Sequence, residues 1–126
     1  ILINNTKCDT VFLPYGNDLH KDHQCIYEAS LVACRPINKS SVKNIFCYET
    51  LSETEWGIEG FCPNYFEILS NSELKNKILA FKEYKSQIKS DFHPRSENGI
   101  KNLARYRGNN ICQENAEAFK VIRKIS

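Results

Sequence analysis

The sequence predicts an α/β layered fold built on a mostly parallel sheet. Strand-like and helix-like segments alternate along the chain, which is typical of such folds. The first strand-like segment, residues 10–15, is an uninterrupted apolar run, as expected for a parallel strand covered on both faces. With 126 residues, 41% of them hydrophobic, the chain fits one globular domain.

Residues 1–69 contain three predicted strands and one helix. A helix is predicted over residues 22–35, because apolar residues recur there at helical spacing and Pro36 forces the chain out of the helix. The apolar positions expected to pack on the sheet are Ile26, Ala29, Val32 and Ala33. The other two strands are predicted over residues 42–49 and 65–69.

The second half contains two predicted helices and a final strand. Ser70 and Glu73 form a capping box that starts a helix extending to about residue 87. The next helix is expected to turn Ile100, Leu103 and Ala104 inward and to end at Gly108. Residues 116–122 fit a helix or a strand, and the apolar alternation there favours a strand.

Charge and cysteine content restrict the partners and the compartment. The 17 basic and 15 acidic residues are scattered in both signs, so nucleic acid is not an expected partner. No apolar stretch is long enough to cross a bilayer, and the N-terminal residues do not form a signal peptide. Six cysteines without a Cys-x-x-Cys pair favour reduced structural thiols, and hence the cytoplasm.

The segment Asp18-Leu19-His20-Lys21-Asp22-His23 is the candidate site. It lies where the first strand passes into the first helix, which is where α/β folds place their chemistry. His20 and His23 are three residues apart and can aim at one point from a first helical turn. A carboxylate such as Asp22 can hold one ring nitrogen while the other faces a ligand. The same residues also fit an aspartate N-cap with two solvated histidines.

Four motifs, taken in order, resemble the C-terminal half of the LmbE-like deacetylases, a family that includes the N-acetylglucosaminyl-phosphatidylinositol de-N-acetylases. The resemblance covers nearly the whole chain, and each motif is weak by itself. The motifs are Asp18-x-His20-x-Asp22-His23, Lys75 and Lys77 with Tyr84-x-Ser86-Gln87, Arg105-Tyr106-Arg107-Gly108, and Ala116-Glu117-Ala118-Phe119.

The resemblance implies a zinc-dependent hydrolase that removes an acetyl group from an amino sugar, on a Rossmann-like three-layer fold. His23 matches a zinc ligand of the family, and His20 matches the histidine that assists the reaction, with the Asp22 carboxylate beside it. A protonated His20, kept charged by Asp22, would stabilise the oxyanion and protonate the leaving amine. Asp18 would contact a substrate hydroxyl or cap a turn. The resemblance also suggests that His93 and Arg95 line the substrate pocket.

One departure from the family pattern is serious. The family's other two zinc ligands and its general base come from a His-Pro-Asp-Asp segment that is absent here, and His93-Pro94-Arg95 does not replace it. Residues 1–126 are therefore expected to be the C-terminal part of one deacetylase domain. One ligand is too few for a catalytic zinc, so the isolated chain is expected to be inactive.

Two further expectations follow from this departure. A chain that lacks the leading strands is expected to associate with the missing half or with copies of itself. A non-catalytic binding module that keeps the same fold remains the alternative, and a structural protein with an incidental histidine pair remains another.

Overall fold

The computed structural model describes residues 6–38 and 40–126. The predicted alternation of strands and helices is confirmed. A 3-10 turn at Pro36–Asn38 precedes the second strand, and another at Thr54–Trp56 follows it. The elements in chain order are β1 (Thr10–Pro14), α1 (Lys21–Ala33), β2 (Asn44–Tyr48), β3 (Tyr65–Ile68), α2 (Asn71–Lys82), α3 (Glu97–Asn109) and β4 (Ala116–Lys124).

The strands form a four-stranded mixed sheet in the order β1-β2-β4-β3. β1 and β2 run parallel, with Thr10 opposite Asn44, as the apolar first strand predicted. β2 and β4 run antiparallel, with an irregularity between Ile45 and Phe46. The fold is thus α/β, and the expectation of a mostly parallel sheet holds for β1–β2 but not for β2–β4.

The described residues divide into two compact units. The first consists of the chain up to Asn64 together with Phe119–Ser126, and the second consists of Tyr65–Ala118. Within the described residues no helix is long and apolar enough to span a membrane.

The core of the first unit lies between β1, β2 and α1. Its buried side chains are Leu13, Tyr15, Cys34, Val42, Ile45 and Cys47. The predicted inward face of α1 is wrong, because Ile26 is 49% exposed and Val32 is 58% exposed. Tyr27 and Leu31 pack against the core instead, and the Tyr27 ring lies so close to Gly16 that a Cβ there would approach Cδ1 within 2.4 Å. The helix carries two apolar stripes, and the one that contains Tyr27 is partly buried against the core.

The first unit also carries an aromatic cluster on its sheet. The rings of Phe12 and Phe46 stack with centroids 5.3 Å apart, and Phe119 meets Phe12 edge-on at 5.2 Å. Phe12 is exposed despite these contacts. The cluster is therefore only partly covered by the described residues.

The second unit is built around the paired helices α2 and α3. The predicted capping box is confirmed, since the Ser70 Oγ accepts from the Glu73 amide and the Glu73 carboxylate accepts from the Ser70 amide. α2 ends at Lys82 rather than near residue 87. Beyond it, the Arg95 guanidinium donates to Gln87 Oε1 at 2.6 Å, so residues that fit a helix by sequence join a folded turn instead.

Charge pairing links α2 to α3. The Glu97 carboxylate meets Lys82 Nζ at 2.5 Å and Lys101 Nζ at 2.7 Å. Hydrogen bonds from Lys101 and then Lys82, with their positive charges, lower the pKa of Glu97 to about 2. Both ion pairs are exposed to solvent, so their contribution to the stability of the fold is modest.

Gly108 does not end α3, which continues to Asn109. A Cβ at this position would lie 2.7 Å from the Gln113 carbonyl oxygen and 2.8 Å from the Asn115 amide nitrogen. The glycine therefore allows close backbone approach. The left-handed residue of this corner is Cys112, with φ 55°.

Candidate functional site

The site is built around the buried carboxylate of Asp18. The amide of Asp18 donates to the Tyr15 carbonyl at 3.1 Å and closes a turn directly after β1. This turn directs the side chain inward, where it is 0% exposed. Its Oδ2 lies 2.7 Å from His23 Nδ1, and its Oδ1 accepts from Thr54 Oγ1 at 2.5 Å. Both oxygens are thus engaged by side chains of the protein, and the expected contact of Asp18 with a substrate hydroxyl stays a prediction.

Asp18 fixes the chemical form of His23. A ring nitrogen that lies 2.7 Å from a carboxylate oxygen is the one that carries the proton, so Nδ1–H donates to Asp18. In the neutral ring, the Nε2 lone pair is then left for a metal or a proton. The His23 side chain is 22% exposed, so a ligand has access to it from solvent. The Asp18–His23 pair thus resembles the carboxylate–histidine arrangement of metal sites.

His20 is the N-cap of α1, a role that the sequence suggested for an aspartate. Its Nδ1 accepts from the backbone amide of Asp22 at 3.2 Å. An accepting Nδ1 cannot carry a proton, so the neutral ring has its proton on Nε2. The expectation that the Asp22 carboxylate holds a charged His20 is therefore corrected, since Asp22 acts through its amide. The His20 and His23 rings stack with centroids 4.9 Å apart.

Hydrogen bonds from the loop after β2 and from α1 hold Asp18 and the residue that follows it. The hydroxyl of Thr54 donates to Asp18 and accepts from the Thr50 amide at 2.7 Å. The Gln24 amide group donates to the Asp18 carbonyl at 2.6 Å, and the Leu19 amide reaches the Glu53 carbonyl at 3.5 Å. Sequence reasoning missed Thr54 and Gln24, because a threonine in a loop and a glutamine on a helix carry no local signal of such contacts.

The Asp18 charge also acts on β2. Burial, followed by the field of Asp18, raises the pKa of the Tyr48 phenol. The fully buried Cys47 thiol has its pKa raised to about 11, mainly by burial, with Lys120 opposing and Asp18 adding to the shift. Cys47 is thus an inert apolar side chain at neutral pH.

The donor set fits one metal ligand and does not complete a metal site. Within residues 6–38 and 40–126, no group of three or more His, Cys, Asp or Glu side chains is placed to hold a metal ion. Asp18 orients His23 so that Nε2 can act as a ligand, whereas the neutral His20 ring has its proton on Nε2 and its Nδ1 lone pair on the Asp22 amide. A catalytic zinc takes three protein ligands, so the described residues do not hold one by themselves.

His93 and Arg95 belong to the second unit. The His93 Nδ1 accepts from the Arg95 amide at 3.0 Å, which closes a turn ahead of α3. Arg95 donates to Gln87, and its Nε is buried without a hydrogen-bond partner among the described residues. These two residues form a local turn, and their expected contact with a substrate stays a prediction.

The chain is similar to a deacetylase. It is 36% identical over 76 residues to a protein of Escherichia coli strain K12 named "Uncharacterized deacetylase YaiS", an alignment that covers 60% of this chain and 36% of that protein. No family model matches the chain.

A solved structure has the same fold. The conserved protein TT1542 from Thermus thermophilus superposes with a TM-score of 0.73 at 21% identity, over 99% of this chain and 56% of that one. At this identity the likeness concerns the fold alone. In both comparisons the chain spans only part of the similar protein, 36% of the deacetylase and 56% of the Thermus protein.

Proposed function

We propose that this chain supplies the histidine pair of a zinc-dependent deacetylase that hydrolyses the N-acetyl group of an amino sugar. The observation that carries the proposal is the buried Asp18 carboxylate, which holds His23 Nδ1 at 2.7 Å and leaves Nε2 to act as a ligand. The deacetylase similarity over 76 residues supports the same reaction class.

His23 would be a metal ligand, and further ligands would come from outside the described residues. A zinc ion would supply Lewis-acid polarisation of the amide carbonyl. If the gene product lacked these further ligands, the site could not catalyse the reaction. The chain would then be part of a non-catalytic binding module, which is the alternative function. The proposal therefore concerns the gene product that carries these 126 residues.

His20 would assist the hydrolysis of the same amide. Its Nδ1 is occupied by the Asp22 amide, so the Nε2–H of the neutral ring is the hydrogen that faces outward. That donor would stabilise the oxygen on which negative charge develops as water adds to the carbonyl carbon. Water adds to the acetyl carbon, so the products are acetate and a free amine.

We also infer that the gene product has a Rossmann-like three-layer fold and that it is located in the cytoplasm. The parallel β1–β2 pairing and the superposition on the Thermus protein support the fold. Six free cysteines suit a reducing compartment.

The test measures zinc and acetyl release in three variants. His23→Ala should lose both zinc and activity, because it removes a ligand. His20→Ala should keep zinc but lower turnover by about 10²-fold, because it removes the hydrogen-bond donor to the developing negative charge. His93→Ala is the matched control for zinc content, since its ring closes a turn in the second unit. Elemental analysis and free-amine release from N-acetylglucosamine derivatives give the two readouts. Equal zinc in the His23 and His20 variants would contradict the proposed division of roles.

A further inference from the structure

Trp56 is the only tryptophan of the chain, and it lies on the surface. It ends the 3-10 turn Thr54–Trp56 and is 74% exposed. The neighbouring Ile58 is fully exposed. Tryptophan is prominent among the residues that dominate binding energy, so an exposed one next to a candidate site is a candidate ligand contact.

The turn that carries Trp56 is fastened to the candidate site. Thr54, two residues earlier, donates to the buried Asp18 carboxylate. Consecutive Cα atoms are about 3.8 Å apart, so the Trp56 Cα lies within about 7.6 Å of the Thr54 Cα. On the other side of Trp56, Gly57 approaches so closely that a Cβ there would lie 2.6 Å from the Asn17 carbonyl oxygen. The indole is therefore displayed from a backbone that is held against the segment containing the histidine pair.

The same two segments are strongly acidic. Residues 15–24 and 49–60 contain six carboxylates and a single cationic side chain, Lys21. The Lys21 ammonium donates to Gln24 Oε1 at 2.9 Å. The five carboxylates other than the buried Asp18 would repel an anionic ligand but not an uncharged one. Lys120, whose Nζ lies 5.4 Å from the centroid of the Tyr15 ring, reduces this repulsion. The carboxylates are Asp18, Asp22, Glu49, Glu53, Glu55 and Glu59.

We propose that Trp56 is the platform on which an uncharged sugar ring of the substrate stacks, so that the substrate is a neutral N-acetylated glycoside rather than a phosphate-bearing one. This inference rests on the proposed deacetylase function. The C–H face of a pyranose ring packs on the electron-rich face of an indole. The ring hydroxyls then remain free for acceptors such as Glu59, whose carboxylate already accepts from Asn17 Nδ2 at 2.5 Å.

Binding is measured first by tryptophan fluorescence, and the part of the signal that comes from Trp56 is identified by comparison with the Trp56→Phe variant. Titration of the gene product with N,N′-diacetylchitobiose should shift or quench the emission in a saturable way. Phosphorylated N-acetylglucosamine should bind at least about 10-fold more weakly, because of the acidic surface. Glu53→Lys should reduce this difference in affinity between the two sugars, because it replaces a negative charge by a positive one. Tighter binding of the phosphorylated sugar to the unmodified protein would overturn the inference.

Variants then separate stacking from folding. Trp56→Ala should weaken binding of diacetylchitobiose about 10-fold by calorimetry, as expected for the loss of one aromatic stack, while Trp56→Phe should stay within about 3-fold. Tyr84→Ala is the matched control, because Tyr84 is also an exposed aromatic residue but lies in the second unit. In the deacetylase assay, Trp56→Ala should raise KM with little change in kcat, because stacking acts on ground state and transition state alike.

The outcomes distinguish this inference from the proposed function. If Trp56→Ala releases acetate with an unchanged KM, the proposed role of Trp56 is wrong and the proposed deacetylase function stands. Saturable sugar binding at Trp56 without acetyl release supports the platform and overturns the deacetylase. An unchanged calorimetric affinity in Trp56→Ala also overturns the platform.

Discussion

Replacing Thr54 by Val removes a single hydroxyl from beneath the buried Asp18 carboxylate. That hydroxyl donates to Asp18 Oδ1 at 2.5 Å and accepts from the Thr50 amide at 2.7 Å. Valine has nearly the same shape, so the variant leaves a carboxylate oxygen and an amide hydrogen without partners. Each unsatisfied buried group costs about 1–3 kcal/mol, so Thr54→Val, which leaves two, should lower the free energy of unfolding by about 2–6 kcal/mol.

The matched control is Thr50→Val. The Thr50 hydroxyl is buried and has no hydrogen-bond partner among the described residues. Its removal should therefore leave the stability unchanged or raise it slightly. Urea denaturation of both variants and the unmodified protein gives the midpoints, and equal slopes show that only stability has changed. If the two variants had the same midpoint, the support of Asp18 by Thr54 would be refuted.

Three further perturbations test the fold. Ile26→Lys on the exposed stripe of α1 should change the free energy of unfolding by less than about 0.5 kcal/mol. Leu31→Ala on the packed stripe should lower it by about 1–3 kcal/mol. If thermal unfolding showed Ile26→Lys to be the more destabilising of the two, the observed helix face would be contradicted. Glu97→Gln should reduce stability at neutral pH. Because the folded pKa of Glu97 is about 2, below its usual 4.5, the difference from the unmodified protein should close as pH falls from about 4.5 to about 2, and a pH-independent difference would contradict the charge pairing. At a pH of about 8, an iodoacetamide pulse followed by mass spectrometry should label the exposed Cys112 and leave Cys47 unlabelled until urea unfolds the chain, because the pKa of Cys47 is about 11 and its thiol is buried. Labelling of both thiols at equal rates would refute the burial of Cys47.

Elements with strong local signals could be predicted from the sequence. Ser70 and Glu73 specify a helix start by contacts within one turn, so the capping box was correct. The alternation of Phe119 and Val121 specified a strand, which the structure extends to Lys124. Local chemistry decides such features before tertiary packing does.

Features decided by tertiary packing could not be predicted. α1 has two apolar stripes, and the choice of Tyr27 over Ile26 as the packed residue depends on where Gly16 lies. Spacing placed His20 and His23 on one helical turn, but not the tautomers, because the partner of His23 is Asp18 rather than Asp22. The support from Thr54 comes from 36 residues away along the chain, beyond the reach of any local pattern.

The central claim is that the buried Asp18 carboxylate prepares His23 to bind a metal. The most direct measurement is the zinc affinity of Asp18→Asn, determined in the gene product by competition with a chelator. We expect an affinity about 10–100-fold weaker than in the unmodified protein, as for other carboxylate partners of ligating histidines. Asp22→Asn is the matched control and should bind zinc within about 2-fold of the unmodified protein, because the described contact of Asp22 with His20 uses its amide. Unchanged zinc affinity in Asp18→Asn, with circular dichroism showing an intact fold, would contradict the claim.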